Sequence, residues 1–401
     1  HKEVFDEIGG FRAGLDGAQD HDLALRIAER FTGPGLIVHI PRILYHWRSN
    51  AGSVSMSADS GFAARRAARH AVADHLQRTA GGGEVEILPN GYLRARLPRA
   101  VEPPLVSVLV PSRNRVDLLR PFLSSLQRNT RYPRIEIIVI DNGSDDPVTL
   151  RYLTEIEGSG VTVLRRPGPF NFSALVNAGA AVSKGELLLL LNNDTEAINP
   201  GWLEEMVAFC HGDVGIVGAR LWYPNGRLQH AGLVLCPDGV AHHALVGAPS
   251  EFQGYYAHAQ LTREVSAVTG ACMLVTRSAF ASAGGFDEVN LPISLDDVDF
   301  CLRVRERGFR IIWTPLAELW HHESASRGMP ISPEKQARAD AARNYMCVRW
   351  VDHLSNDPFY SPNLSFKRLY RPDFAPRIST RNDSLVSVAD RSNADVVDEP
   401  G

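Results

Sequence analysis

The sequence predicts an α/β protein built on a doubly wound, Rossmann-like, mostly parallel sheet. Two observations carry this. Four short runs, at 106–110, 135–140, 161–164 and 186–191, are β-rich or uniformly apolar and stop at polar or Pro/Gly segments, as strands buried on both faces do. Helix-length patterns at 115–130, 147–157 and 171–183 separate them. Such βαβα alternation gives a parallel sheet whose ligands sit at the carboxyl ends of the strands.

Beyond Leu191 the pattern changes to a helix at 200–210, irregular strands through 215–246, a helix opening near Asp296 and a strand at 310–313. Upstream, Gly81–Gly83 and Glu102–Pro104 bracket a short piece whose centre, Pro89-Asn-Gly91, predicts a hairpin within a linker. A helix follows from Ser332 to about His353, and from about Pro376 the Pro-, Asn- and Ser-rich tail is expected to be disordered. The expected division is 1–80, a linker at 81–104, a complete domain at 105–355 and an extension at 356–401.

Bulk properties narrow the function. At 401 residues the chain exceeds the usual single domain, and 44% hydrophobic with 22% charged residues fits a globular protein with a sizeable core. Its 42 basic against 46 acidic side chains provide no positive field for a nucleic acid backbone. Five widely spaced cysteines read as reduced thiols and favour a cytoplasmic setting. No apolar run approaches the roughly 18 residues a membrane span needs. The Arg/Ala-rich stretch 62–78 raises peripheral contact with the inner face of the plasma membrane, although a solvated helix face is the simpler explanation. The chain opens at His1 on structured-looking sequence and reads as a fragment of something longer.

An internal repeat is also present. Phe5-Asp-Glu-Ile-Gly-Gly-Phe11, Gln19-Asp-His-Asp-Leu-Ala-Leu-Arg26, Pro41 and His46 run parallel to Phe280-Ala-Ser-Ala-Gly-Gly-Phe286, Asp296-Asp-Val-Asp-Phe-Cys-Leu-Arg303, Pro315 and His321. An offset of about 275 residues is far beyond a solenoid period, so the expectation is a duplicated domain whose first copy lacks its front half.

Several carboxylates sit where chemistry is expected. Asp194 follows the five leucines in Asn192-Asn-Asp194, at a strand end where an unpaired buried charge is costly; it could hold Mg²⁺ or Mn²⁺, or cap the next turn. Asp141 ends the second strand and could meet a ribose or base, or close an Asx turn. Asp297, after the loop Pro292-Ile-Ser294, could act as a general base, while Asp299 and Arg303 are spaced for an ion pair. His321 and His322 could offer an imidazole to a metal or serve as structural hydrogen-bonders.

Taken in order, Val106-Ser-Val-Leu-Val-Pro-Ser-Arg-Asn-Arg115, Ile140-Asp-Asn-Gly-Ser144, Asn177-Ala-Gly179, Leu191-Asn-Asn-Asp194, Thr269-Gly-Ala-Cys-Met273, Gly284-Gly-Phe-Asp287 and Asp296-Asp297 resemble family-2 glycosyltransferases. The likeness is greatest to bacterial rhamnosyltransferase-like enzymes of surface polysaccharide assembly, through His321-His-Glu-Ser-Ala-Ser-Arg-Gly328 and Asp357-Pro-Phe-Tyr-Ser-Pro-Asn-Leu364. The resemblance implies a GT-A fold, a Mg²⁺ or Mn²⁺ requirement and inverting hexosyl transfer from a nucleotide-diphosphate sugar to a glycan or lipid-linked glycan. By the same carry-over Pro111, Arg113, Asp141, Asn177 and Asn193 lie on the nucleotide-sugar side and Asp194 with His321 on the metal. Asp297 is then the base, and Gly270, Ala271 and Asp296 lie on the acceptor side, supplied by the second half of the domain. Asn192 replaces the first Asp of the family's Asp-x-Asp element, which keeps a non-catalytic glycan- or nucleotide-binding module as the alternative. A nucleotidyltransferase lacks its Gly-rich loop here, and no G-x-G-x-x-G supports a dehydrogenase.

Overall fold

The computed structural model describes residues 1–31, 36–38, 40–42, 44–46, 58–322, 332–373 and 377, with side chains of 58–60 excepted. The tail expected to be disordered and most of the 321–328 motif lie outside them. The chain forms two compact units: Val72–Phe359, and His1–Ala71 together with the segment from Tyr360.

Three helices open the chain: α1 (Lys2–Glu7), α2 (Gln19–Arg30) and α3 (Ala58–Ala80). The hairpin follows as β1 (Glu84–Ile87) and β2 (Leu93–Arg96), antiparallel with Glu84 opposite Arg96. Within the larger unit it is tied to later segments by Asn90, which donates to Gln260 at 2.7 Å, and by an Arg96–Glu205 ion pair.

The sheet then builds through β3 (Val106–Ser112), α4 (Val116–Arg128), β4 (Ile135–Asp141), α5 (Pro147–Glu157), β5 (Thr162–Arg165), α6 (Phe172–Val182) and β6 (Leu187–Leu191). Helix ends follow capping chemistry: Asp146 accepts from the Thr149 amide and Asn171 from that of Ala174. β3 pairs in parallel with both β4 and β6, and β4 with β5. β6 lies in the middle of the sheet, and its five leucines are all buried, which is why the strand is apolar without alternation.

The second half contributes β7 (Thr195–Ala197), α7 (Trp202–Val207), β8 (Val214–Trp222), β9 (Leu228–His230), β10 (Leu233–Cys236), β11 (Val240–His243), β12 (Arg263–Glu264) and β13 (Cys272–Thr276). It closes with α8 (Arg277–Ala283), α9 (Asp296–Glu306), β14 (Arg310–His321), α10 (Pro333–Arg349) and α11 (Val351–Ser355). The ten-stranded sheet runs β12-β14-β8-β13-β6-β3-β4-β5, with β7 on β14 and β9 on β8. β13 is antiparallel to β6 and β8, so the sheet is mixed, parallel in its first half. The chain moves outward from β3 to β5 and then returns to β6 on the other side of β3. That reversal opens a crevice at the carboxyl ends of β3 and β6, where ligands bind in such sheets.

Strand β14 differs from expectation. The sequence suggested a strand stopping at Trp313 with a loop before the histidines, because Pro315 breaks the apolar run. Instead a register shift between Thr314 and Glu318 absorbs the proline, and the strand continues to His321. The five cysteines are all free thiols, and burial pushes those of Cys210 and Cys236 up to about 12. Among the described residues no helix is long and apolar enough to cross a membrane.

One clamp recurs in both units. In the larger, Asp299 is fully buried and accepts from Arg303 Nε at 2.7 Å and Trp350 Nε1 at 2.9 Å, while Arg303 Nη1 donates to the carbonyls of Ala283 and Gly285, the latter at 2.6 Å. In the smaller, Asp22 accepts from Arg26 Nε at 2.9 Å, and Arg26 donates to the carbonyls of Ile8 at 2.6 Å and Gly10 at 2.5 Å. Both clamps grip a Gly-Gly turn in the left-handed region, at φ 77° and 72° for Gly284 and Gly285 and 78° and 66° for Gly9 and Gly10. Burial alone would raise the Asp22 carboxyl, but hydrogen bonds from Arg12 and Arg26 bring it below its usual value.

Removing one partner of such a buried pair strands the other charge. Asp299→Ala is expected to lower unfolding stability by about 3–5 kcal/mol, read from urea denaturation. A loss below about 1 kcal/mol would mean that water reaches and solvates Arg303.

Candidate active site

The site assembles from a strand end and one register. Thr195 donates from its amide and hydroxyl to the Asn192 carbonyl, at 3.3 and 2.8 Å, turning the chain after β6. β7 then pairs antiparallel with the end of β14, Thr195 opposite His321. The His322 amide donates to the Asp194 carbonyl at 2.9 Å. Two residues remote in sequence are thus held side by side by backbone hydrogen bonds.

Asp194 is 5% exposed, and its Oδ1 is buried with no hydrogen-bond donor among the described residues. It lies 3.3 Å from His321 Nε2, with Asn192 Nδ2 3.4 Å from the same nitrogen. On the other side of the ring, His321 Nδ1 is 2.6 Å from Gln229 Oε1, and Gln229 Nε2 faces the His321 carbonyl at 3.4 Å. That carbonyl can only accept, so the amide of Gln229 faces it and its oxygen faces Nδ1. The neutral ring therefore carries its proton on Nδ1 and turns a lone pair toward the carboxylate. An anionic oxygen and a lone pair this close repel unless a cation or a proton lies between them. This donor set, one carboxylate and one imidazole oriented by a second amide, suits a divalent metal.

Asp297 faces the same space from the first turn of α9. Its Oδ2 accepts from the Gly270 amide at 3.0 Å and its Oδ1 from the Val298 amide at 2.9 Å. The helix amino terminus favours the negative charge. Leu295, at the cap position of α9, has φ 61°, unusual for a branched apolar side chain. That strain sits directly before the two acidic residues, as it does at many functional sites.

A cavity of about 310 Å³ joins these groups. Among its walls are Asp194, His321, Asp297, Asp296, Gly270, Ala271 and Asn192. Pro111, Arg113, Asp141, Asn177 and Asn193 are outside its lining. Asp141 closes a turn by accepting from the Ser144 amide at 3.1 Å and hydroxyl, and receives Arg165 Nη1 at 3.1 Å. Asn193 Nδ2 donates to Ser112 Oγ at 3.1 Å, linking the ends of β6 and β3. Asn177 is committed to the loop after the Gly-Gly turn, donating to the Phe286 carbonyl at 2.9 Å and accepting from the Phe286 amide at 2.8 Å. His322 turns to Glu196 at 3.1 Å.

Sequence reasoning missed Phe172, Tyr223, Gln229 and His243, which also line the cavity. The only local signal was Gln229-His230, two polar side chains inside a buried strand. His230 is fully buried, and desolvation above all, with the nearby Arg263 charge adding to it, holds its imidazole well below the usual range.

Residues 107–283 match the family model for glycosyl transferase family 2. The chain is 45% identical over 379 residues to an uncharacterized protein of Sinorhizobium fredii, covering 92% of this chain and 41% of that one. It is 38% identical over 368 residues to the O-antigen biosynthesis protein RfbC of Myxococcus xanthus, covering 91% and 28%. The chain thus spans less than half the length of these relatives. Among solved structures it is similar to GalNAc-T7, crystallised with UDP, GalNAc and Mn²⁺, at TM-score 0.50 and 14% identity over 66% of this chain and 51% of that one. Residues 107–283 thus form a glycosyl transferase family 2 domain, and the sheet they help build has the GT-A fold.

Proposed function

We propose that the domain moves a sugar from a nucleotide-diphosphate sugar to an acceptor hydroxyl, inverting the anomeric centre, in bacterial surface-polysaccharide assembly. The observation that carries this reading is the donorless Asp194 Oδ1 facing His321 Nε2 in the cavity that Asp297 also lines. The similarity to an O-antigen biosynthesis protein supports the polysaccharide context.

Asp194 and His321 would hold Mg²⁺ or Mn²⁺, with Asn192 beside them in place of a second carboxylate. The chemistry such an ion supplies when bound is neutralisation of charge on the departing diphosphate. Asp297, kept in place by the Gly270 amide, takes the proton of the acceptor hydroxyl while that oxygen forms its bond to the anomeric carbon. The bond from that carbon to the diphosphate oxygen breaks as the new one forms, and attack from the opposite face gives inversion. Gln229 keeps the His321 lone pair aimed at the metal position. Asp141, Asn193 and Ser112, at the ends of β4, β6 and β3, border the proposed nucleotide side.

Residues 1–80 are read as the C-terminal half of a truncated first glycosyltransferase-like domain. Support comes from the matching Arg26 and Arg303 clamps and from Asp20, whose Oδ1 accepts from the next amide as that of Asp297 does.

Asp297→Asn is expected to keep donor nucleotide binding and lower transfer by about 10²–10⁴-fold, measured by nucleotide release. Near-normal turnover would remove Asp297 from the role of base. Gln229→Leu should weaken Mn²⁺ binding by about 10–100-fold in isothermal titration, and an unchanged affinity would take His321 off the metal. A titration of UDP, GDP and dTDP with Mn²⁺ separates the enzyme from a module that binds glycan alone. Loss of all three interactions would favour a glycan-binding module.

A further inference from the structure

The β10–β11 hairpin carries a cluster of side chains that takes no part in the chemistry above. Its turn, Pro237-Asp-Gly239, joins Cys236 to Val240, which stand opposite each other in the ladder. His242 pairs with Val234, two residues before Cys236, so alternation along the strands brings Cys236 and His242 to one face of the hairpin. From the turn, Asp238 places its Oδ1 3.6 Å from His242 Nε2. A sulfur, a carboxylate oxygen and an imidazole nitrogen thus lie within 4.8 Å of one another. Among the described residues no other group of three or more such side chains does so.

The backbone is shaped to hold them together. Val240 has φ 70°, a costly conformation for a β-branched residue. Gly239 lets the imidazole lie against the turn, since a Cβ there would sit 3.0 Å from His242 Cε1. Arg343 of α10 donates to the Asp238 carbonyl and leaves the carboxylate to the cluster. The Cys236 thiol is buried and donates to that carboxylate, and this hydrogen bond holds the Asp238 carboxyl below its usual value. The Asp238 and His242 side chains are 59% and 45% exposed, so the cluster opens to solvent.

We propose that Cys236, Asp238 and His242 form a binding site for a borderline-soft divalent cation of the Zn²⁺ type, with water completing its coordination. The donor set selects the ion. Thiolate and imidazole favour such a metal over Mg²⁺ or Ca²⁺, and mixed sulfur, nitrogen and oxygen ligands suit tetrahedral Zn²⁺. Spacing agrees with chemistry. At Zn–N of about 2.0 Å and Zn–S of about 2.3 Å, tetrahedral ligand atoms lie about 3.3–3.8 Å apart, so the three groups need close only slightly. On binding, the Cys236 S–H bond breaks, the sulfur electron pair forms the bond to the metal and the proton passes to solvent. Asp238, released from the thiol, then turns its oxygen to the ion. The Asp194 and His321 pair is a different position, without sulfur and suited to Mg²⁺ or Mn²⁺. A metal at the hairpin would staple the turn whose following strand ends at His243 in the cavity wall, and it stands whether or not the domain transfers sugar.

Cobalt(II) titration of the full chain reads the site directly, because a sulfur-to-cobalt charge-transfer band needs a cysteine ligand and the Asp194 and His321 position offers none. The expected result is a band that saturates at one Co²⁺ per chain, that Zn²⁺ displaces and that excess Mg²⁺ leaves in place. Cys236→Ser should abolish it. His242→Ala and Asp238→Asn, both at half-exposed positions, should keep the fold by circular dichroism and weaken Co²⁺ binding at the sulfur site by about tenfold or more. No band in the wild-type chain, a band that survives Cys236→Ser, or an affinity unchanged in both His242→Ala and Asp238→Asn would overturn the proposal. Nucleotide release plays no part in this readout, so a chain inactive toward every donor sugar leaves its outcome untouched.

Discussion

The site depends on the pairing of β7 with the end of β14. β7 is a three-residue strand, yet its antiparallel register sets Thr195 opposite His321 and so fixes Asp194 beside the imidazole. Without it, Asp194 would be one more carboxylate at a strand end, free to turn to solvent. With it, the oxygen is held where no group among the described residues donates to it. Such a partly satisfied polar pair is costly in a low-dielectric interior, and it persists because ladder hydrogen bonds over-determine it.

The sheet explains why side chains distant in the sequence line one cavity. β3 is flanked on one side by β4 and β5 and on the other by β6, so the reversal of strand order lies at its carboxyl end. The antiparallel β13 then joins the parallel half to β8 and β14, and the loop before it brings Gly270 under Asp297. The proposed base and the proposed metal-holding pair therefore draw on both halves of the sequence, with Asp194 following β6, Asp297 opening α9 and His321 ending β14. Strain at Leu295 marks the point where the chain must turn sharply to aim α9 at that space.

The repeated Gly-Gly…Asp-x-x-x-Arg pattern has a structural meaning independent of chemistry. Each arginine ties its helix to the carbonyls of a left-handed glycine turn, and each aspartate neutralises that arginine where water cannot. In the larger unit Asn177 and Trp350 add to the same clamp from α6 and from the end of α10. A motif that looks like a run of catalytic acids thus divides its labour. Asp299 holds the helix, and Asp297 faces the cavity.

The sequence by itself determined the strands, their order of appearance and the carboxylates at their ends, because buried strands must be apolar and local capping follows residue type. It also made Asp194, Asp297 and His321 legible as candidates. It could not assign Asn177 to a loop clamp, carry β14 past Pro315, or bring Gln229 and His243 to the cavity. Those outcomes rest on pairing between distant segments: a register shift that absorbs a proline, a strand of three residues finding its partner, and a glutamine that orients a histidine far from it in the chain. Tautomer, orientation and the missing donor at Asp194 are properties of neighbours in space, and only the tertiary structure decides who those neighbours are.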